Sequence, residues 1–199
     1  IMFNYDVEAM LKKVLQDISD AQLPNGMVPT TAPEYVEFGE TLNIFRDATA
    51  WGGTYILTPW EVLQRYGNIN LIQKHYKGMK RYLTYLTEKS DGFIITEGLG
   101  DWYDIGPAGP GHSQNTPIPF TETAIYYGMS VVMRKIAALL NEQADVQHYE
   151  QLSVSIQSAF HQKYDDLLDW HDNASVILKC SPRVSTCVRA LFSHKEFLL

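Results

Sequence analysis

The chain has 199 residues, 45% of them hydrophobic and 20% charged, with a formal net charge of −7. That length suits one domain or a large part of one, and the composition excludes a disordered chain. The negative charge argues against nucleic acid and anionic membrane as partners, and no apolar run reaches the ~18 residues of a membrane span.

The start, Ile1-Met2-Phe3-Asn4-Tyr5-Asp6, lacks the basic and apolar regions of a signal peptide. It reads as a chain entered mid-helix, which implies a piece of a longer protein and leaves the compartment open. Phe3, Val7, Met10, Leu11, Val14, Leu15 and Ile18 form an apolar stripe that predicts a first helix of roughly five turns. Pro24-Asn25-Gly26 forces a turn. Residues 21–46 form a long connection, expected to be an ordered loop over a site because it keeps Val28, Tyr35, Val36 and Phe38. Its acidic residues Glu34, Glu37, Glu40 and Asp47 read mainly as a solvated loop, with Arg46 and Asp47 able to form a local ion pair.

A second helix is expected from about Ala48 to Tyr66, either kinked at Pro59 or restarted there with Thr58 as cap. Gly67 supplies its left-handed stop. Asn70 opens a third helix carrying Leu71, Ile72, His75, Tyr76, Met79, Tyr82, Leu83 and Leu86, which ends at Ser90-Asp91-Gly92. Phe93-Ile94-Ile95 allows at most a short strand. A glycine- and proline-rich loop follows over residues 98–119. Thr121 or Thr123 then caps a fourth helix, and Asp145 caps a fifth with Val146, Tyr149, Leu152, Ile156, Phe160 and Tyr164 on one side. Short turns alternate with long loops, so the long loops gather at one end of an all-α array. That is the layout of an α/α toroid with about five helices here and function on one face.

The chemistry concentrates in Gly98-Leu99-Gly100-Asp101-Trp102-Tyr103-Asp104. Two aromatic rings and two carboxylates between glycines suit a sugar, whose apolar face stacks on a ring while its hydroxyls donate to carboxylates. Asp101 and Asp104 could serve as the acid and base of glycoside hydrolysis, which needs carboxyl groups ~5 to ~9.5 Å apart. They could equally bind hydroxyls and brace the loop. Trp51, beside Gly52-Gly53, and Trp102 both stand where a long loop meets a helix, so both are expected to contact ligand rather than only fill the core. Trp60 reads as packing, and Trp170 is a weaker candidate for ligand contact than Trp51 and Trp102. Glu97 borders the loop and can face the same site. His112 can bind a hydroxyl but has no partner marking it as a general acid. The sequence holds no Ser/His/Asp signature, cysteine nucleophile motif, phosphate-cradling glycine loop or metal-ligand spacing, so no cofactor is expected. Cys180 and Cys187 read as isolated thiols.

The ordered series Val28-Pro29-Thr30-Thr31-Ala32-Pro33-Glu34-Tyr35, Ala50-Trp51-Gly52, Pro59-Trp60-Glu61, Arg65-Tyr66-Gly67, Gly98-Leu99-Gly100-Asp101-Trp102 and Thr121-Glu122-Thr123-Ala124-Ile125-Tyr126-Tyr127 resembles the catalytic domain of bacterial α-L-rhamnosidases, glycoside hydrolase family 78. The resemblance covers residues 1 to about 173. It implies an (α/α)6 barrel, inverting hydrolysis of terminal α-L-rhamnose, and a sugar site to which Trp51, Trp102 and Asp101 correspond. It also implies that the general acid belongs to a segment before Ile1 and the general base to one beyond Leu199, so that this piece carries neither. The barrel needs about twelve helices, so exposed half-barrel faces and self-association are expected. Residues 174–199 do not continue the resemblance. They carry Lys179, Arg183, Arg189 and Lys195 against Glu196 alone, whereas the preceding residues hold the acidic excess. An altered reading frame near residue 174 would explain that tail. Two other readings stay open at this point: a non-catalytic carbohydrate-binding or scaffold piece, and a different α/α-toroid glycosidase or lyase using Asp101 or Asp104.

Overall fold

The computed structural model describes residues 4–36, 43–103, 106–109, 111 and 113–164. The expectations placed on Phe3, Glu37, Glu40, Asp104, His112, Trp170, both cysteines and the 173/174 boundary lie outside those residues. The elements in chain order are α1 (Glu8–Ala21), α2 (Asn43–Arg46), α3 (Thr49–Gly52), α4 (Thr54–Tyr66), α5 (Asn70–Lys89), α6 (Ile118–Leu139) and α7 (Gln143–Tyr164). Five of them are long. Among the described residues the only extended pairing is an isolated bridge between Asp91 and Ile94, so Phe93-Ile95 forms a turn and not a strand. No described helix is long and apolar enough to cross a membrane.

α6 organises the rest. It is apolar nearly all round, and Phe120, Ala124, Tyr126, Met129, Val132, Met133 and Ile136 are all buried. A helix of that kind has to be wrapped by neighbours. α7 packs most extensively on it, and α3, α4 and α5 lie against it as well. α5 and α7 are amphipathic and turn their predicted stripes inward: Met79, Tyr82, Leu83 and Leu86 from one, Tyr149, Leu152, Ile156 and Phe160 from the other. The rings of Phe120, Phe160 and Tyr164 close the α6–α7 contact, with centroids 4.8–5.2 Å apart.

Several boundaries differ from the sequence expectation. α1 begins at Glu8, shorter than the five turns its stripe suggested, and Met10 and Val14 remain exposed. The second predicted helix divides at Gly53, not at Thr58, and α4 runs through Pro59. Gly53 lies where a Cβ would approach the Met129 sulfur at 3.1 Å, so this junction packs closely on α6. Pro59 lacks an N–H for the carbonyl of Tyr55, a loss tolerated here because the surrounding turns are buried against the core. The turn at Gly67 (φ 68°) and the break at Asn141 (φ 60°) fall where expected. His75 is a packed residue: burial lowers its pKa, and Nδ1 lies 3.4 Å from the Tyr55 hydroxyl.

Thr121, Thr123 and Asp145 are not caps. α6 starts three residues before Thr121, after Pro117, and α7 starts two residues before Asp145. Thr121 is buried, and the other two side chains are claimed by distant partners instead. Thr123 Oγ1 accepts the amide of Ile95 (3.1 Å), and Asp145 accepts from the Tyr76 hydroxyl and the Lys80 ammonium, both at 2.7 Å.

Candidate functional site

Glu122 stands in the second turn of α6, fully buried. Its Oε2 accepts the backbone N–H of Ala50 at 3.2 Å, and its Oε1 accepts that of Gly100 at 2.8 Å. The residue before Trp51 and the residue two before Trp102 are therefore tied to one carboxyl group. Sequence separation between these segments is about fifty residues, and nothing local in either would bring them together. With Thr123 holding Ile95, the first turns of α6 clip the segment 95–100 at both ends.

Burial pushes the Glu122 carboxyl up to about 7, against the opposing pull of the Gly100 and Ala50 amides, the Lys89 ammonium and the Thr49 hydroxyl. Gly98 makes room for it. A Cβ at residue 98 would fall 2.5 Å from Glu122 Cδ, and the backbone there has φ +153°. Gly98→Ala is therefore expected to cost about 1–3 kcal/mol through overpacking against an immovable buried side chain, read as a lower thermal midpoint in calorimetry.

The rings sit on this base. Trp51, on α3, is 43% exposed and borders a cavity of about 380 Å³ shared with Val14, Ile18, Val28, Pro29 and Thr54. No described residue of 98–103 lines that cavity. Trp102 is half-buried and steadied on two sides. Phe45 of α2 packs edge-on at 5.6 Å (86°), and Tyr103 lies at 5.6 Å (58°). The α2–α3 segment thus touches Trp102 directly as well as carrying Trp51. Asp101 is buried (7% exposed) beside that ring, and Glu97 is exposed at the start of the same loop.

The acidic residues of the first loop are structural where they are described. The local Arg46–Asp47 pair that the sequence allowed gives way to two longer-range ones. Arg46 instead makes a two-pronged bond to Glu34 (2.5 and 2.9 Å), which holds the Glu34 carboxyl below its ordinary range and raises the guanidinium. Asp47 turns inward and accepts from Lys89 Nζ (2.7 Å) and the Tyr85 hydroxyl (2.5 Å). Burial, then the Asp47 carboxylate, raises the Tyr85 pKa. These two ties fix the approach of α2–α3 to the site. No group of three or more His, Cys, Asp and Glu able to hold a metal ion occurs among the described residues.

Sequence reasoning missed Glu122 as a site residue. The signal was present: it is the sole acidic side chain in a 22-residue, otherwise largely apolar helix, set between two threonines. A carboxylate so placed needs buried donors.

A sequence model of the bacterial alpha-L-rhamnosidase six-hairpin glycosidase domain matches residues 1–169. An α-L-rhamnosidase from Formosa agariphila is 24% identical over 160 residues, covering 80% of this chain and 17% of that protein. One from Streptomyces avermitilis is 27% identical over 155 residues, covering 77% of this chain and 14% of its own length. Among solved structures, an α-L-rhamnosidase from Dictyoglumus thermophilum superposes with a TM-score of 0.73 at 31% identity, covering 81% of this chain and 17% of that one. The Streptomyces avermitilis α-L-rhamnosidase complexed with L-rhamnose superposes with a TM-score of 0.71 at 22% identity, covering 94% and 18%. The chain therefore spans less than a fifth of the relatives it matches, and its helices are part of their six-hairpin (α/α)6 fold. By its sequence over residues 1–169 and by its fold, this chain belongs to the bacterial α-L-rhamnosidase six-hairpin glycosidase family.

Proposed function

We infer that this chain supplies part of the monosaccharide-binding wall of an inverting α-L-rhamnosidase. Trp51 and Trp102 stack on the sugar, Asp101 takes hydroxyl hydrogen bonds, and Asp104 and Glu97 contribute from the same loop. The observation that carries the reading is the Glu122 carboxyl, which gathers the segments bearing both indoles. The support from outside the molecule is a fold neighbour described as complexed with L-rhamnose.

Inverting hydrolysis needs an acid on the leaving oxygen and a base on a water, about 6.5–9.5 Å apart across the bond. We assign neither role to a residue of this chain. Glu122 is unsuited to both, since it is sealed from solvent and its oxygens are already engaged with backbone amides. The acid and base are expected from the remainder of the barrel, so the 199-residue chain alone should bind without turning over.

The test pairs binding with turnover. L-rhamnose binding followed by isothermal titration should weaken about tenfold for Trp102→Ala and for Trp51→Ala, equivalent to about 1.4 kcal/mol each. An aryl α-L-rhamnoside should release no aryl alcohol above background. Clear hydrolysis by this chain, abolished by Asp101→Asn, would overturn the assignment and make Asp101 catalytic.

A further inference from the structure

We propose that Glu122 is the positioning residue of the sugar wall, a two-pronged latch whose carboxylate sets the spacing between the Trp51 and Trp102 segments and so makes ligand affinity depend on its protonation. The proposal rests on the reading of those two rings as sugar-stacking groups. Its geometry does not depend on that reading.

The argument starts from acceptor count. An ionised carboxylate has two equivalent acceptor oxygens, and here each takes one backbone N–H, Ala50 on one and Gly100 on the other. Protonation turns one oxygen into a hydroxyl. That oxygen then presents a hydrogen near an amide hydrogen, and one of the two tethers goes slack. Either segment, once released, carries its indole with it. A shift of about an ångström at a binding surface is enough to change affinity strongly.

The surroundings make the latch titratable within a useful range. Thr49 faces the carboxyl from α3, and Lys89 and Tyr82 from α5. Lys89 and Thr49 favour the ionised form, and burial opposes it. The balance leaves the group poised near neutrality instead of fully charged. Neighbouring Gly98 leaves the carboxyl its space, because a side chain at that position would occupy it. The fold thus holds an opposition. The chain is most stable with Glu122 neutral, and the wall is best aligned with it ionised.

The experiment is a pH titration of the ¹⁵N-labelled 199-residue chain by NMR, with and without L-rhamnose. The indole signals are assigned with Trp51→Phe and Trp102→Phe. The amides of Ala50 and Gly100 should titrate together, with one shared midpoint between about pH 6 and 8, and this transition should vanish in Glu122→Gln. L-rhamnose should perturb both indoles, with an affinity at least about fivefold higher above the midpoint than below it. Glu122→Gln should hold the low-affinity value at every pH. Amides that titrate separately, or that keep their transition in Glu122→Gln, would overturn the latch. So would a rhamnose affinity that is flat across the midpoint. Amides that titrate together while L-rhamnose perturbs neither indole would support the tether and refute the sugar assignment. The wild-type titration needs no variant to fold, so the latch stays open to refutation even where Glu122→Gln is unstable.

Discussion

Lys89→Met should lower the unfolding free energy by about 3 kcal/mol, the low end of the 3–5 kcal/mol typical when one partner of a buried ion pair is removed. Lys89 and Asp47 have side-chain exposures of 16% and 8%, and their 2.7 Å contact joins the last turn of α5 to the α2–α3 junction. Losing the ammonium strands a carboxylate with one oxygen already unpartnered among the described residues. The Tyr85 hydroxyl still donates to it, and the Arg46 guanidinium lies close enough to feel its charge, which is why the low end applies. Lys89→Met combined with Asp47→Asn should recover most of the loss, because the charge that needed compensation is gone. Urea unfolding of the two variants reads this directly. A single-variant loss below about 1 kcal/mol would mean that Asp47 reaches water. The pair matters for the site because it fixes residue 47, four residues before Trp51.

Stability should also fall as pH rises from about 5 to 8. A free glutamate titrates near 4.5, and Glu122 in the folded chain near 7. Between those values the folded chain holds a proton that the unfolded chain has released. Its contribution is complete below 4.5 and disappears as pH passes 7. A separation of that size corresponds to about 3 kcal/mol. His75 works in the other direction: burial depresses its pKa, so its share is present above 6.5 and is lost on acidification. Glu34 and Asp145, held low by Arg46 and by Lys80 and Tyr76, lose their shares only in stronger acid. The difference between wild type and Glu122→Gln therefore isolates the one group. Thermal midpoints of the two should run close together at low pH, where Glu122 is neutral like glutamine, and separate at high pH, where the wild type alone loses stability. Parallel profiles would remove Glu122 as the source.

How much of this was legible in the sequence depended on the range of the interactions. Periodicity placed α5 and α7 and most of their buried faces, because a stripe at three- and four-residue intervals reports directly on what an amphipathic helix buries. Gly67 and Asn141 were legible as stops because backbone conformation is a local property. The errors share a cause. Thr121, Thr123 and Asp145 have the side chains of helix caps, yet two of the three, Thr123 and Asp145, spend their hydrogen bonds on Ile95, Tyr76 and Lys80, 28 to 69 residues away. Gly53, between α3 and α4, lies close against a methionine of α6, a contact no local pattern reports. Trp51, Asp101 and Trp102 could be singled out because aromatic and acidic residues on glycine-rich loops are unusual. What holds their segments together could not, since Glu122 lies on a different helix and its partners are backbone amides, which leave no trace in residue type.

The clipping of residues 95–100 to the first turns of α6 has a consequence for how such a site can change. The connection from Gly100 to Ile118 leaves from one fixed point on α6 and returns to the start of the same helix, so both its ends are borne by a single element. The wrapped helix serves as a chassis, and the connection serves as interchangeable bodywork. On the proposed reading of the site, a new sugar preference is expected to arise by editing loop residues one at a time.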